Sequence, residues 1–284
     1  MTVPRRKRLP IITLTTDFGT EDVFVGVMKG VILGINPAAC IVDLSHAVPP
    51  QSVETGALLL RLALPYFPAG TIHVAVVDPG VGTTRRAVAV ETASGVLVGP
   101  DNGLLAPAAE QAGIKRLIEC TDRTYWLPSV GPTFHGRDIF APIAAHLSRG
   151  LPIERIGCTG PPLAPLVLPL PQLERNPERL LIRGEVISVD RFGNLLTNVA
   201  AHDLEAFPRQ HLSVSIAGRT IHGLVSTYAA VREGELLALL DSWGLLEIAQ
   251  RNGSARERLG VGRSAPVVIT ACRSNDSDSP TTSK

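Results

Sequence analysis

The sequence predicts an α/β N-terminal domain with a mostly parallel sheet, followed by a small all-β barrel domain. Three observations predict this fold class. In the first half, β-branched hydrophobic runs alternate with segments whose apolar residues recur at helical spacing, the pattern of βαβ units. Six prolines then cluster between residues 160 and 177. After them the helical period fades, and short strand-like runs bounded by glycines take over, as in a small barrel.

The N-terminal elements follow from period and composition. Residues 11–16 are a strand of β-branched residues that stops at Asp17, and helical spacing from Val23 to Ile35 predicts a helix ended by Asn36 and Pro37. The further predicted elements are strand Ile41–Leu44, helix Val53–Leu64, strand Ile72–Val77, strands Ala87–Thr92 and Gly95–Val98, helix Leu104–Ala112 and helix Ile139–Ser148.

The C-terminal half shows only short strands and no internal repeat. The predicted strands are Ile182–Val189, His211–Ile216, Thr220–Val225, Leu236–Leu240 and Ala265–Ala271. We therefore predict an N-terminal domain over residues 9–160, a proline-rich linker over 161–177, and a barrel over 178–272. The Ser/Asp/Thr-rich residues 273–284 are predicted to be a disordered tail.

Composition excludes several classes of protein. The net charge of +1 gives no sign of nucleic-acid or acidic-membrane binding, and the basic run at residues 5–8 is interpreted as a solvated tail. Four cysteines without a CxxC pair indicate reduced thiols, which are expected to be mostly buried. Without an apolar run of about 18 residues or a signal-peptide pattern, a soluble cytoplasmic protein is predicted.

Asp78 follows the hydrophobic run 71–77 directly and opens a loop with a proline and two glycines. Ligands of open α/β sheets lie at the carboxyl ends of strands, so this carboxylate is a candidate for chemistry; the alternative is a turn-forming Asp-Pro-Gly. Arg85 and Arg86 are adjacent, so in an extended segment their side chains point in opposite directions, and at most one faces the site.

Two further candidates lie in the same half. His135 precedes a helix predicted to start near Asp138, and its imidazole can donate or accept a proton at neutral pH; the alternative is a structural loop histidine. Asp138 is predicted to be the N-cap of that helix. Asp17, at the end of the first strand, can accept hydrogen bonds from a ribose diol or cap the following turn.

In the second half, Asp190 and Asn194 bracket a short loop that closes a strand. Asn194 could pair with the edge of adenine and Phe192 could stack on it, but the segment is also a reasonable hairpin turn. Ser242, Glu247 and Asn252 are individually weak signals near another turn. GxGxxG, Walker A and HExxH motifs are absent, so neither a nucleotide phosphate nor a metal is indicated.

Taken together, five ordered motifs make the chain resemble the S-adenosyl-L-methionine (SAM) hydroxide adenosyltransferase family, relatives of fluorinases and chlorinases. The resemblance covers nearly everything from Ile11 to Ala271. The motifs are Thr15-Thr16-Asp17-Phe18-Gly19, Val77-Asp78-Pro79-Gly80-Val81-Gly82-Thr83, Pro100-Asp101-Asn102-Gly103, Thr133-Phe134-His135-Gly136-Arg137-Asp138 and Asp190-Arg191-Phe192-Gly193-Asn194.

The resemblance implies a reaction and an assembly. SAM and water give adenosine and L-methionine, SAM is the substrate, and no cofactor or metal is implied. The implied protein is a homotrimer whose ligand lies between one subunit's N-terminal domain and a neighbour's C-terminal domain. It also implies the site residues, with catalytic residues Asp78, Arg85 and His135, and substrate-binding residues Asp17, Thr133, Phe134, Asp190, Phe192, Asn194, Ser242, Glu247 and Asn252.

Within that set, Asp17 is implied at the ribose, Asp190 at the methionine ammonium, and Phe192 and Asn194 at the adenine. Two alternatives remain. Halogenating relatives carry a tyrosine at the position of Asp78, lack the histidine matching His135 and have an aromatic residue at the position of Gln51. A carboxylate would also repel a halide in a low-dielectric pocket. The other alternative is a non-catalytic SAM or adenosine sensor. Either Asp78 or His135 could act as the base.

Overall fold

A computed structural model describes residues 9–175 and 179–272. The chain divides into two compact units, Met1–Leu168 and Pro169–Lys284. The predicted basic tail at residues 5–8, the last two residues of the predicted linker and the predicted C-terminal tail lie outside the described residues.

The first unit is built on a seven-stranded sheet. Its strands are β1 Ile11–Thr16, β2 Cys40–Ser45, β3 Thr71–Val76, β4 Ala87–Thr92, β5 Gly95–Pro100, β6 Ile114–Glu119 and β7 Cys158–Thr159. Their order is β2-β1-β3-β5-β4-β6-β7, with parallel pairing from β2 to β5 and antiparallel pairing from β5 to β7.

The sheet is therefore mixed, and the prediction of a mostly parallel sheet was wrong in that respect. The two-residue connection between β4 and β5 allows only an antiparallel hairpin. Strand β6 was not predicted, because its first three residues are exposed and two of them, Lys115 and Arg116, are charged, so the strand lacks a hydrophobic run.

Helices cover both faces of this sheet. They are α1 Phe24–Ile35, α2 Val53–Ala63, α3 Ala106–Ala112 and α4 Ala141–Ser148. The helices α1 and α4 pack over one core that includes Val74 and Val76, whereas α2 and α3 pack over another that includes Ala75 and Val77. Alternate residues of β3 thus face opposite cores, which explains why this strand reads as an unbroken hydrophobic run.

The second unit is a nearly closed, barrel-like antiparallel sheet. Its elements are β8 Gln172–Arg175, β9 Arg179–Val189, β10 Leu195–Ala200, α5 Ala201–Leu204, β11 Leu212–Ile216, β12 Arg219–His222, β13 Leu236–Leu240, β14 Leu245–Gln250, α6 Ala255–Leu259 and β15 Pro266–Cys272. The main path runs β12-β11-β15-β9-β10-β14-β13, with β8 on β9. A bridge between Val225 and Leu239 brings the chain after β12 against β13.

The parallel register places the ends of β1 and β3 side by side. Thr16 is opposite Val76, so Asp17 and Asp78 both emerge at the carboxyl edge of the sheet. In open α/β sheets this edge is where ligands bind. The fold therefore directs the two carboxylates toward the same region of the first unit.

Two further predictions concern the whole chain. Among the described residues, no helix is both long enough and apolar enough to span a bilayer. Cys40, Cys120 and Cys158 are free thiols; Cys120 is buried, but Cys40 and Cys158 are exposed, contrary to the expectation of mostly buried cysteines.

Candidate active site

Asp78 and Arg85 form a buried ion pair across their shared loop. Arg85 Nε donates to both carboxylate oxygens at 3.0 Å, and its Nη2 makes a further short contact with Oδ2. The side chain of Asp78 is only 5% exposed and that of Arg85 only 9%. A bidentate, charge-assisted ion pair of this kind holds the carboxylate and the guanidinium in one relative orientation.

His135 completes the cluster from a loop fifty residues away. Arg85 Nη2 lies 2.7 Å from His135 Nδ1. Burial and the charge of Arg85 lower the pKa of His135, while the charges of Asp78 and Asp138 and a backbone hydrogen bond at Gly131 act in the opposite direction. The imidazole is therefore held in its neutral form at neutral pH.

The loops of Arg85 and His135 meet at Gly82. This residue has φ of +78°, and a Cβ there would lie 2.4 Å from the carbonyl oxygen of Pro132. Only glycine allows both the backbone conformation and this close approach. Gly82 thus holds the 131–135 segment against the loop that carries Asp78.

The helix after His135 starts earlier than predicted. A π-helical turn at Gly136–Phe140 precedes α4, and His135 stands at its N-cap position. Asp138 lies inside that turn, fully buried, and accepts a hydrogen bond from Gly131 N–H at 2.8 Å. The N-cap prediction for Asp138 was wrong, since its carboxylate instead ties down the loop that leads to His135.

Arg86 points away from the cluster, as the alternation rule requires. Its guanidinium pairs with Asp101 and donates to the carbonyl oxygens of Pro161 and Pro162. Asp101 in turn accepts from Ala164 N–H at 2.8 Å. Hydrogen bonds therefore attach residues 161–164 to the first unit, although this segment was predicted to be a linker.

Asp17 lies at the same sheet edge, and one of its two carboxylate oxygens is held by a hydrogen bond. Its Oδ2 accepts a 2.8 Å hydrogen bond from the backbone N–H of Gln51. Phe134 belongs to an aromatic cluster in which its ring lies 5.2 Å from that of Phe24 and 5.7 Å from that of Phe18. Thr133, the residue before Phe134, is exposed.

In the second unit, Asp190 organises the hairpin between β9 and β10. Its Oδ1 accepts hydrogen bonds from the backbone N–H groups of Phe192 and Asn194, both at 2.8 Å, and its Oδ2 accepts from Asn194 Nδ2 at 3.0 Å. Phe192 is 77% exposed and Asn194 is buried. The hairpin-turn alternative for this segment is what the structure shows, and a role in ligand binding stays a prediction.

The hairpin between β13 and β14 repeats this arrangement. Asp241 Oδ1 accepts from Trp243 N–H and Leu245 N–H, both at 2.9 Å, and Ser242 is exposed in this turn. Both turns read Asp-x-aromatic-Gly, and the glycines Gly193 and Gly244 both have positive φ. This short repeat contradicts the prediction that the chain has no internal repeat.

Glu247 is a buried carboxylate on β14. Its Oε1 accepts a 2.7 Å hydrogen bond from the hydroxyl of Tyr228, a residue that sequence analysis did not single out. Burial raises the pKa of Glu247, and the charges of Asp190 and Asp241 raise it further. Asn252 is exposed at the end of the same hairpin with a left-handed φ of +53°.

The structure therefore places Arg85 in contact with both Asp78 and His135, with Asp17 at the same edge of the sheet. The six candidates of the second unit lie on two hairpins of one sheet. Over residues 9–175 and 179–272, no group of three or more His, Cys, Asp or Glu side chains is arranged to hold a metal ion.

Known proteins match this chain in both units. The profile of the SAM hydroxide adenosyltransferase N-terminal domain matches residues 12–157, and that of the C-terminal domain matches residues 184–268. A relative from Salinispora tropica named (R)-S-adenosyl-L-methionine hydrolase is 41% identical over 263 residues, covering 92% of this chain and 98% of the relative. A fluorinase from Actinoplanes sp. is 30% identical over 222 residues, covering 69% and 74%.

The fold is also similar to a solved structure. A crystal structure of an uncharacterized conserved protein from Thermotoga maritima matches with a TM-score of 0.85 at 37% identity, covering 92% of this chain and all of that one. The two profile matches span most of the chain and follow the order of the two units. The chain belongs to the SAM hydroxide adenosyltransferase family.

Proposed function

We propose that this protein hydrolyses SAM by attack of water at C5′ of the ribose, releasing adenosine and L-methionine. The observation that carries the proposal is the contact set in which Arg85 holds both the carboxylate of Asp78 and Nδ1 of His135. The greater identity to a SAM hydrolase than to a fluorinase, 41% against 30%, supports the choice of water as nucleophile.

The reaction requires activation of the nucleophile and not of the leaving group. Methionine leaves a sulfonium as a neutral thioether, so no acid is needed at sulfur. Water is a weak nucleophile and has to be held in line with the breaking C5′–S bond. As the C5′–O bond forms, the attacking water becomes a strongly acidic oxonium, which even a weakly basic carboxylate can deprotonate.

The geometry favours Asp78 over His135 as the proton acceptor. The Nδ1 lone pair of His135 faces a guanidinium that can only donate, so the ring proton is on Nε2. A carboxylate has about four acceptor positions, and Arg85 does not use all of those of Asp78. In this proposal Arg85 stabilises hydroxide character, and His135 orients Arg85.

The remaining site residues are proposed to bind the substrate. Asp17 would accept hydrogen bonds from the ribose diol, since its Oδ1 is not engaged by Gln51. Asp190 would pair with the methionine ammonium, and the exposed ring of Phe192 would stack near the adenine. The other proposed contacts with the substrate are Thr133, Phe134, Asn194, Ser242, Glu247 and the Asn252 backbone.

Assembly and location are part of the same proposal. We infer a cytoplasmic homotrimer, with SAM as substrate and no separate cofactor, in which a neighbouring subunit completes each ligand site. Sedimentation of the purified protein with and without adenosine tests the trimer. A monomer under both conditions would contradict it.

The function is tested with purified protein and SAM in 18O-labelled water, with chloride and fluoride added in parallel, followed by mass spectrometry. Labelled adenosine with methionine, and no halogenated nucleoside, is the expected result. A 5′-halo-adenosine would instead identify a halogenase. Absence of turnover together with tightly bound adenosine would identify a sensor.

A further inference from the structure

Two of the three buried threonines of strand β1 are each hydrogen-bonded to a histidine. Thr13 Oγ1 lies 2.9 Å from His73 Nδ1, and Thr16 Oγ1 lies 2.8 Å from His46 Nδ1. Both threonines are fully buried. The first pair sits in the middle of the sheet, whereas the second immediately precedes Asp17.

The second pair is tied to the backbone around Asp17. Thr16 Oγ1 accepts a 3.2 Å hydrogen bond from Phe18 N–H, and the carbonyl oxygen of His46 accepts a 2.8 Å hydrogen bond from Gly19 N–H. His46 is therefore linked to this part of the chain twice, through its ring to Thr16 and through its backbone carbonyl to Gly19. These hydrogen bonds restrain the backbone conformation of residues 17–19.

The hydrogen positions in this network are determined by its chemistry. Phe18 N–H can only donate, so the hydroxyl proton of Thr16 is free to point at His46 Nδ1. His46 Nε2 lies 3.0 Å from Asp43 Oδ1, and because a carboxylate can only accept, this contact favours the tautomer with the ring proton on Nε2. Asp43 is also paired with Lys29 at 2.6 Å. The network thus runs from a surface ion pair to the turn of Asp17.

The carboxylate of Asp17 is held from the same segment of chain. Gln51, five residues after His46, donates its backbone N–H to Asp17 Oδ2. Residues 46–51 thus fix the backbone after Asp17 and one of its two carboxylate oxygens. His46 is 6% exposed and Thr16 is fully buried, so water cannot replace a lost bond without local rearrangement.

We propose that His46 is a positioning residue, which acts through Thr16 to hold Asp17 where its carboxylate receives the ribose hydroxyls. The role rests on the proposed function for the identity of the ligand as SAM or adenosine. His46 does not touch the ligand in this scheme. Its effect passes through the Asp17 turn and should disappear when Asp17 no longer binds ribose.

The direct test is Thr16→Val, which removes the hydroxyl at nearly constant volume. We expect KM for SAM and Kd for adenosine to rise roughly ten-fold, with kcat changed less than about three-fold, because the ribose contact serves ground state and transition state alike. The matched control is Thr13→Val, which removes the same type of Thr–His bond from the same strand and should leave both constants unchanged.

The double variant Asp17→Asn/Thr16→Val separates positioning from general loosening. If His46 acts through Asp17, Thr16→Val adds no further rise in Kd for adenosine in the Asp17→Asn background. Additive effects, or an unchanged Kd in Thr16→Val alone, would overturn the proposal. Should Thr16→Val fail to fold, Asp43→Asn is the second variant, with a rise of about two- to three-fold expected from the more exposed end of the network.

Adenosine binding and SAM hydrolysis by the wild-type protein distinguish a failure of this inference from a failure of the proposed function. Adenosine binding by calorimetry does not require turnover, so the role of His46 is tested even if the enzyme proves inactive. Wild-type protein that binds adenosine but does not hydrolyse SAM contradicts the proposed function alone. Normal hydrolysis with unchanged constants in Thr16→Val contradicts the role of His46 alone.

Discussion

Arg85 Nη2 lies 2.7 Å from His135 Nδ1, and this contact favours a neutral imidazole in which Nδ1 is the acceptor. A guanidinium has donors only, so Nδ1 accepts and the ring proton is on Nε2. A second ring proton would place two donors face to face. The contact is therefore compatible only with neutral His135.

The first prediction concerns the titration of His135. Burial and Arg85 lower its pKa, so we expect a midpoint below 6.5 by NMR, with the ring neutral above that pH. Asp78 acts in the opposite direction, so Asp78→Asn should lower the midpoint further. A His135 midpoint at or above 6.5 would contradict the Arg85–His135 contact.

The second prediction uses two similar ion pairs that differ in their proposed roles. Asp78 and Asp101 are each 5% exposed and each is paired with one of two adjacent arginines. Asp78→Asn should lower kcat by about 10²-fold or more while adenosine binding is mostly retained. Removing the charge of either carboxylate should destabilise the fold, at most by the roughly 3–5 kcal/mol of a broken buried pair.

Asp101→Asn is thus the control for stability. Its arginine holds the proline-rich segment and not His135, so turnover should stay within about three-fold of wild type at a temperature where both variants are folded. His135→Ala should behave like Asp78→Asn in turnover. Normal kcat in both Asp78→Asn and His135→Ala would contradict the catalytic assignment.

Local pattern was sufficient to predict much of the first unit. The β-branched runs gave the bounds of β1, and period-2 alternation correctly separated Arg85 from Arg86. The hydrophobic run before Asp78 identified a central strand because β3 is buried on both faces. These features depend on residues close together in sequence, where physical rules are strongest.

What the sequence analysis missed depends on partners far along the chain. Aspartate is a residue type that favours N-cap positions, which is why Asp138 was predicted to be one. A π-helical turn starts the helix before Asp138, and its carboxylate instead accepts a hydrogen bond from Gly131 N–H. Strands β10 and β14 were not predicted, because each directly follows a segment that was interpreted as a turn. His46 and Tyr228 acquire significance only through contacts with Thr16 and Glu247, which no local period reveals.

The third prediction uses the two repeated hairpins of the second unit. Asp190 and Asp241 each accept two backbone N–H bonds through Oδ1, and asparagine keeps such an acceptor while removing the charge. Asp190→Asn should therefore raise KM for SAM about ten-fold by loss of the ammonium partner. Adenosine, which has no ammonium, should lose less affinity, and only because Asn194 Nδ2 gives up its 3.0 Å hydrogen bond to Asp190 Oδ2.

Asp241→Asn is the matched control for the two backbone hydrogen bonds to Oδ1, since Asp241 has no proposed contact with the ligand and its Oδ2 has no partner that corresponds to Asn194. Both variants should unfold within about 1 kcal/mol of wild type in denaturant. Equal losses of SAM and adenosine affinity in Asp190→Asn would show that the residue shapes the hairpin and does not pair with the amino acid portion of the substrate.

The fourth prediction concerns the approach of two loops at Gly82. A Cβ at this position would lie 2.4 Å from Pro132 O, so Gly82→Ala must push the 131–135 segment away from the Asp78 loop. His135 would then lose Arg85, and we expect kcat to fall at least ten-fold, since misplacement by about 1 Å is costly to catalysis. Steady-state kinetics with SAM measures the loss.

Gly70→Ala separates this clash from backbone strain. Gly70 also has a positive φ, +86°, but a Cβ there would meet nothing within 4 Å. Both variants should carry a conformational cost of roughly 1 kcal/mol from the left-handed backbone, and only Gly82→Ala should also lose turnover. Comparable kinetics in the two variants would mean that the loops tolerate separation and that the contact between Arg85 and His135 does not depend on their close approach.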